Sequence, residues 1–303
     1  MPPRDRRNAV LLTTFASLIW GTSFPGVKWG LGYAGNDIVF LWLRFIVASV
    51  ATLAIVLLLK KFSFRVLKDP VIWLVGAFNA GSFIAQYVGL TLTTASKTAL
   101  LVDINVIAVA IVSYFAFRER LNRIQSVGIL VGIAGIILLT ADGGMSFGED
   151  EFLGDMIVYL SGWGWAFFIV LNKKLLSRYS AIEVSTAAIA TSTIWLALPV
   201  AYLGFTGADF TIEPKAWAAI IYLGIACTSV ATLLWAMGLE GVSATASATI
   251  MLLEIVTALV ISILLLDESL KQLALIGAAL VLAAIYLVAS SGHKGDAPAV
   301  SHT

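Results

Sequence analysis

The sequence predicts an all-α membrane protein whose ten transmembrane helices form two inverted five-helix repeats, with both termini in the cytoplasm. Apolar residues make up 60% of the 303 positions and charged residues 12%, whereas soluble domains average about 45–50% and about 25%. The apolar residues are gathered into runs of about twenty, the length at which a helix crosses the bilayer. An internal repeat is the third observation. Together they leave no room for a folded soluble domain.

Ten apolar runs are each long enough to cross the bilayer as a helix. They cover residues 9–32, 37–59, 70–92, 96–117, 122–140, 153–175, 181–204, 214–239, 244–266 and 270–290. We refer to them as spans 1 to 10. The basic N-terminus before span 1 is like that of a secretion signal, but the run is longer than the apolar core of a signal. We therefore expect span 1 to be a retained transmembrane helix.

The positions of lysine and arginine predict the orientation of the spans, because short loops that carry these residues stay in the cytoplasm. With an internal N-terminus, 14 of the 19 basic residues lie on the inner side and four on the outer side. The outer four are Lys28, Lys97, Lys215 and Lys271. This asymmetry places the acidic linker 141–152 outside the cytoplasm. The polar tail 291–303 then lies inside, where we expect it to be disordered.

The segment that begins span 4 is repeated at the start of span 9. Residues 96–103 read SKTALLVD, and residues 247–254 read SATIMLLE. The shift between the two copies is 151 residues here and 149 further on, where RERL resembles DESL. The repeat divides the chain into a first half at 1–140 and a second half at 153–290. Since each half has five spans, an odd number, the halves insert with opposite orientation.

Inverted halves in a membrane favour transport over other functions. Two such halves can exchange conformations and open a site between them to each side in turn, with the substrate near the bilayer centre. The sequence therefore predicts a secondary transporter for a small-molecule substrate. A passive facilitator or channel is one alternative, and an intramembrane enzyme is another.

Several classes of site and partner are excluded by composition. The two histidines, His293 and His302, lie in the polar tail, and Cys227 is the single cysteine. Metal sites built on His and Cys clusters are therefore not expected at membrane depth, and no cofactor is predicted. We find no catalytic set among the spans and do not expect an enzyme. The net charge of +1 implies no nucleic-acid partner, so the lipid bilayer and the substrate are the expected partners.

Polar and aromatic side chains near the bilayer centre are the candidate substrate-binding residues. They are Trp20, Asn79, Phe83, Gln86, Tyr87, Asn105, Trp163, Thr232 and Trp235. Those of span 3 share or flank one helical face, and a shift of 149 residues maps that face onto span 8. Trp20, Trp163 and Trp165 lie in the repeat-related spans 1 and 6 and are candidates for aromatic walls of the cavity. The alternative roles are hydrogen bonds between helices, worth about 0.6 kcal/mol each, and tryptophan anchoring at the membrane interface.

Three charged residues lie about two turns or more inside their spans, where charge is costly and indicates function. Asp103 and Glu254 occupy equivalent positions of the repeat and are candidates for binding an amine or carrying a proton. Hydrogen bonding between helices is their alternative role. Arg44 lies two turns inside span 2. It either meets a substrate carboxylate, extends to the membrane surface, or pairs with Asp103 as a structural strut.

Glycine and proline predict where two of the spans bend. Gly21 and Pro25 loosen span 1, and Gly162 and Gly164 are candidate hinges in span 6. Gly21 and Gly164 occupy equivalent positions of the repeat, and the loosened segments are candidate hinges for gating.

Several of these segments are similar to those of a known family. Residues 19–28 (IWGTSFPGVK), 43–46 (LRFI) and the two E-[RS]-L turns before spans 5 and 10 resemble the drug/metabolite transporter superfamily, EamA type. The resemblance covers about residues 9–290. It implies a ten-helix fold and a bacterial inner-membrane exporter of amino acids or similar metabolites. The tryptophan-rich interior is similar to that of the YddG type of aromatic amino-acid exporters.

The chain departs from the family pattern in spans 4 and 9. Members often carry a proline there, whereas this chain has Ile104 and Ile255 at about those places. The kink that a proline produces therefore has no evident cause in either span.

Overall fold

The chain is helical throughout the part that the computed structural model describes, which comprises residues 5–59, 64–92, 102, 105–118, 121–141, 149–266 and 272–290. Within these ranges the sole extended pairing is one antiparallel bridge between Ala34 and Ile212. Six helices there are long and apolar enough to cross a membrane, and further apolar helices are shorter. The expected all-α class and multi-pass membrane character are confirmed.

We number the helices after the spans that they occupy. They are α1a (Arg6–Gly21), α1b (Ser23–Leu31), α2 (Asp37–Leu59), α3 (Pro70–Leu92), α4 (Asn105–Phe117), α5 (Arg123–Ala141), α6 (Glu149–Leu176), α7 (Ala181–Thr206), α8 (Pro214–Leu239), α9a (Ala244–Met251), α9b (Leu253–Leu266) and α10 (Gln272–Ser290). A short 3-10 helix, Phe64–Lys68, precedes α3. Most of the linker and the tail 291–303 lie outside the described residues.

The first span is broken where its glycine and proline predicted. Helix α1a ends at Gly21, and the Thr22 hydroxyl donates a hydrogen bond to the carbonyl of Ile19 at 2.6 Å. Pro25 is the third residue of α1b. A proline in the first turn of a helix costs no hydrogen bond, because the N–H groups there have no partner within the helix. The break therefore accommodates the proline.

The ninth span is also broken, although it has no proline. Helix α9a ends at Met251, α9b begins at Leu253, and Ile255 lies inside α9b. Gly21 packs directly against this break, because a Cβ on Gly21 would lie 2.6 Å from the carbonyl oxygen of Glu254. The breaks of the first and ninth spans thus meet.

The sixth span does not bend at its glycines. Helix α6 runs without a break from Glu149 to Leu176, so the hinge that we expected at Gly162 and Gly164 is not present in this structure. Gly164 instead makes room for the hydroxyl of Ser82 on α3. The glycine permits two helices to approach rather than one helix to bend.

The helices pack in pairs that cross between the two predicted halves. Helix α1a lies along α8, α3 along α6, and α5 along α10, while α2 packs against α7. Glycines allow the close approach. A Cβ on Gly89 of α3 would lie 3.2 Å from the carbonyl oxygen of Gly154, and one on Gly238 of α8 would lie 2.8 Å from that of Ala9.

Candidate functional site

Six aromatic side chains are in contact in a continuous row through the interior. We call this row the aromatic chain. In order, its members are Trp20, Trp235, Phe168, Trp165, Phe83 and Phe45. Neighbouring ring centroids are 4.8 to 6.1 Å apart, the range in which aromatic pairs attract each other. The row draws on helices of both predicted halves and therefore crosses the region between them.

Trp235 is the most enclosed member of the aromatic chain. Its side chain is fully buried, and its ring stacks on that of Phe168 with centroids 5.3 Å apart and planes 14° apart. The indole Nε1 donates to the hydroxyl of Ser247 on α9a at 3.0 Å. Trp235 thus joins α8 to α6 and α9a, and its polar atom is satisfied.

Trp20 is fixed by an irregular stretch of α8. Residues Leu223–Val230 form a π-helix, whose last backbone bond runs from Ala231 N–H to the carbonyl of Ala226. A return from π to α spacing leaves one carbonyl without a backbone donor, and Cys227 lies at that place. The indole Nε1 of Trp20 donates to the Cys227 carbonyl at 2.7 Å. The π segment therefore creates the acceptor that orients Trp20.

Cys227 lies at the same junction of the first span and α8. Its side chain is fully buried. The Sγ atom lies 3.7 Å from the carbonyl oxygen of Ile19 and 3.9 Å from the Thr22 hydroxyl. The thiol therefore packs against the break of the first span.

Arg44 points into the protein, so it does not extend to the membrane surface. Only 3% of the residue is exposed. Its Nε donates to the hydroxyl of Thr228, in the π segment, at 2.7 Å. Its guanidinium carbon lies 5.2 Å from the centroid of the Phe83 ring, a cation–π distance. Among the described residues no carboxylate forms an ion pair with it, and Asp103 lies outside those residues.

Tyr87 lies beside Arg44, close enough for an electrostatic interaction between the two side chains. The residue is 6% exposed. In the described part of the chain its hydroxyl has no partner at normal hydrogen-bond geometry, although a weak hydrogen-bond contact with Arg44 is present. Buried hydroxyl groups without a partner are uncommon and call for an explanation.

The remaining predicted residues of α3 have different surroundings. Asn79 is buried and donates from Nδ2 to the hydroxyl of Ser192 on α7 at 2.9 Å, which is the helix-to-helix role that we gave as its alternative. Gln86 is half-buried. Thr232, on α8, is buried. Trp163 is partly buried against the main apolar core and is not among the members of the aromatic chain.

The predicted acidic pair is described at one of its two positions. Glu254 lies in the first turn of α9b and is half-buried, whereas Asp103 is outside the described residues. Asn105 begins α4 and is buried. Within the described ranges, no group of three or more His, Cys, Asp or Glu side chains is placed to hold a metal ion.

Sequence reasoning missed three residues that complete this arrangement. Phe168 and Phe45 extend the aromatic chain, and Ser247 accepts the hydrogen bond of Trp235. One signal was available, because Phe168 follows Trp165 by three residues and so shares its helical face. Phe45 has no such signal, since it is one apolar residue among many in span 2.

The loops at the two ends of the helices also pair across the halves. At the predicted outer end, Gly35 N–H donates to the Thr211 carbonyl at 2.8 Å, and Glu213 N–H donates to that of Tyr33 at 3.0 Å. At the predicted inner end, Arg178 forms an ion pair of 3.3 Å with Asp69. Both ends of the helix assembly are thus held by contacts between loops.

The model of the EamA-like transporter family matches residues 7–141 and again residues 152–290. A solved crystal structure has a TM-score of 0.81 at 18% identity, covering 93% of this chain and 96% of that chain. At this identity the likeness shows the fold alone.

Curated relatives cover nearly the whole chain. An uncharacterized transporter of Archaeoglobus fulgidus is 27% identical over 289 residues, with 94% of this chain and 98% of the relative covered. The uncharacterized transporter YetK of Bacillus subtilis is 27% identical, with coverage of 84% and 79%. A probable terminal-alkyne amino-acid exporter of Streptantibioticus cattleyicolor is 26% identical, with coverage of 92% and 93%. With the family model matched over both halves, the chain belongs to the EamA-like transporter family, as a multi-pass membrane transporter.

Proposed function

We propose that the protein is a secondary transporter that exports amino acids or related metabolites by alternating access, with aromatic and hydrophobic side chains favoured. The aromatic chain carries this proposal. It crosses the region between the halves and has a buried arginine beside it. Aromatic surfaces suit apolar side chains by stacking. The proposed location is the bacterial inner membrane, with ten spans and both termini in the cytoplasm.

Two observations support the inverted repeat. The family model matches the two halves separately. The helix pairs are also related by the repeat, since α1a on α8 corresponds to α6 on α3. The close glycines Gly89 and Gly238 are 149 residues apart, and so are their neighbours Val158 and Ala9. A repeat axis in the membrane plane accounts for this agreement.

A difference between the halves supports alternating access. Phe168 and Trp235 stack towards the predicted inner ends of α6 and α8. A shift of 149 residues maps them to Ile19 and Gln86, on α1a and α3. Those two helices make no extensive contact in the described part of the chain. We propose that the inner contact opens during transport and that its outer equivalent then forms.

Amino acids are the proposed substrates on two grounds. The aromatic chain suits their side chains, as in the YddG-type exporters that the sequence resembles. One relative is described as a probable terminal-alkyne amino-acid exporter. We propose that the predicted substrate-binding residues line the path and that Asp103 and Glu254 carry protons that couple transport to a gradient.

Flux measurements on liposomes that contain the purified protein test the function. Labelled L-phenylalanine is expected to enter with saturable kinetics. Trp163→Ala and Gln86→Ala are expected to lower this flux at least about tenfold, a change of about 1.4 kcal/mol, because both remove contacts with the substrate. Trp217→Ala, at an exposed tryptophan near a helix end, is the control and is expected to leave the flux unchanged.

Three results of this experiment decide among the alternatives. No saturable flux over a broad amino-acid panel contradicts the proposed function. Flux that needs no gradient and ignores pH favours a passive facilitator. With proton coupling, Asp103→Asn is expected to abolish the pH dependence, so an unchanged pH profile removes Asp103 from this role.

A further inference from the structure

Arg44 carries a buried charge that nothing in the described structure neutralises. It is 3% exposed, and the described residues that contact it are uncharged: Thr228, Phe83 and Tyr87. A buried charge without a partner is strongly unfavourable, and charged side chains within a membrane mark substrate or ion pathways. An anionic ligand would supply the missing charge.

The contacts of Arg44 leave the terminal part of its guanidinium group available. The Nε hydrogen bond to Thr228 fixes the plane of the group, and Phe83 lies 5.2 Å from it. The remaining polar neighbour of the guanidinium group among the described residues is the hydroxyl of Tyr87. Two parallel N–H groups in this arrangement match the two oxygens of a carboxylate.

Tyr87 adds a second donor at the same place. Its hydroxyl is buried and has no partner at normal hydrogen-bond geometry in the described part of the chain, and it interacts with Arg44 through charge and a weak hydrogen-bond contact. A carboxylate bound to Arg44 would give this hydroxyl an acceptor. One ligand group would therefore pair with the buried cation and give the hydroxyl beside it an acceptor.

We propose that Arg44, with Tyr87, binds the carboxylate of the transported molecule, so that substrates are carboxylates with an apolar or aromatic side chain. This proposal rests on the proposed transport function and adds the substrate class. Phe83 links the two ends of the site, because it contacts both Arg44 and Trp165. The side chain of the substrate then lies along the aromatic chain. The carboxylate is required for binding and the amino group is not.

Binding measurements with three probes of equal ring size test this proposal. L-phenylalanine, phenylpropionate and phenylethylamine share the ring and differ in whether they carry a carboxylate or an amino group. Each is added to the purified full-length protein in detergent, and the shift in melting temperature is measured against concentration. Both carboxylates are expected to stabilise the protein saturably. The amine is expected to produce no saturable shift.

Variants at Arg44 give a second, independent comparison. Arg44→Gln is expected to weaken the binding of phenylpropionate at least about tenfold, as loss of hydrogen bonds to a charged group does. Arg44→Lys keeps the charge but cannot donate two parallel hydrogen bonds. Its affinity for phenylpropionate is expected to lie between those of the wild type and Arg44→Gln. Ser49→Ala is the control, because it removes a hydrogen bond of 2.8 Å between α2 and Thr193 of α7. It is expected to bind like the wild type.

Each result separates this proposal from the transport function. Equal stabilisation by the amine and the carboxylates overturns the proposal, and so does unchanged binding by Arg44→Gln or the absence of any shift with the carboxylates. The probe comparison in the wild type stands even where a variant does not fold. Saturable flux that Arg44→Gln leaves intact overturns the proposal alone. Carboxylate binding without flux contradicts the proposed transport function and supports the carboxylate site at Arg44.

Discussion

Replacing Trp235 with alanine is expected to abolish transport and to lower the free energy of unfolding by about 3–5 kcal/mol. The residue is fully buried, and its removal leaves a cavity where α6, α8 and α9a meet. It also leaves the buried hydroxyl of Ser247 without its donor and Phe168 without its stacking partner. Melting in detergent measures the loss of stability, and flux into liposomes measures transport.

Trp195→Ala is the matched control for this prediction. Trp195 also donates its indole Nε1 at 3.0 Å, to the carbonyl of Trp73, but 38% of the residue is exposed. Removing it opens no interior cavity, and we expect a loss of no more than about 1 kcal/mol. If both variants lose the same stability, the interior position of Trp235 is not what makes it important.

A leucine at Gly238 is expected to separate α8 from α1a and to destabilise the protein by at least about 1–3 kcal/mol, the usual cost of overpacking. A Cβ at this position would lie 2.8 Å from the carbonyl oxygen of Ala9 and 3.0 Å from the backbone nitrogen of Thr13. Backbone atoms cannot turn away as a flexible side chain can, so the helices must move. The loss is measured by melting, and the flux is expected to fall with it.

Gly81→Leu provides the comparison, since a Cβ on this helical glycine would meet nothing within 4 Å. It is expected to change the free energy of unfolding by no more than about 0.5 kcal/mol, as surface substitutions do. Gly89→Leu, at the position related to Gly238 by the repeat, is expected to behave like Gly238→Leu. A Gly238 variant as stable as the Gly81 variant would contradict the close packing of α1a on α8.

Helix boundaries were predictable because the bilayer sets them. Apolar runs gave the bounds of α2, α3 and α8 to the residue, since each run must match the thickness of the hydrocarbon core. The break in the ninth span was not predictable from its own residues. It lies against Gly21, a residue more than two hundred positions away in the sequence.

The candidate site was predictable where the repeat or a helical face drew attention to a residue. Trp20, Phe83 and Trp235 were found in this way, and the structure brings them into one row. The sequence did not indicate a site role for Phe168 and Phe45, because an aromatic residue in an apolar helix is equally suited to contact with lipid. The hydrogen-bond partner of Arg44, Thr228, lies in the π segment of α8. No single residue type predicts such a backbone feature.

The position of the single thiol has a practical consequence. Cys227 is packed against the carbonyl of Ile19 and the hydroxyl of Thr22, so a maleimide can reach its sulfur only when the first span moves away from α8. The rate of its alkylation therefore reports that movement. Because Cys227 is the single cysteine, the measurement needs no engineered label and no cysteine-free background. A substrate that holds the first span against α8 would slow this reaction, and a substrate that separates them would speed it.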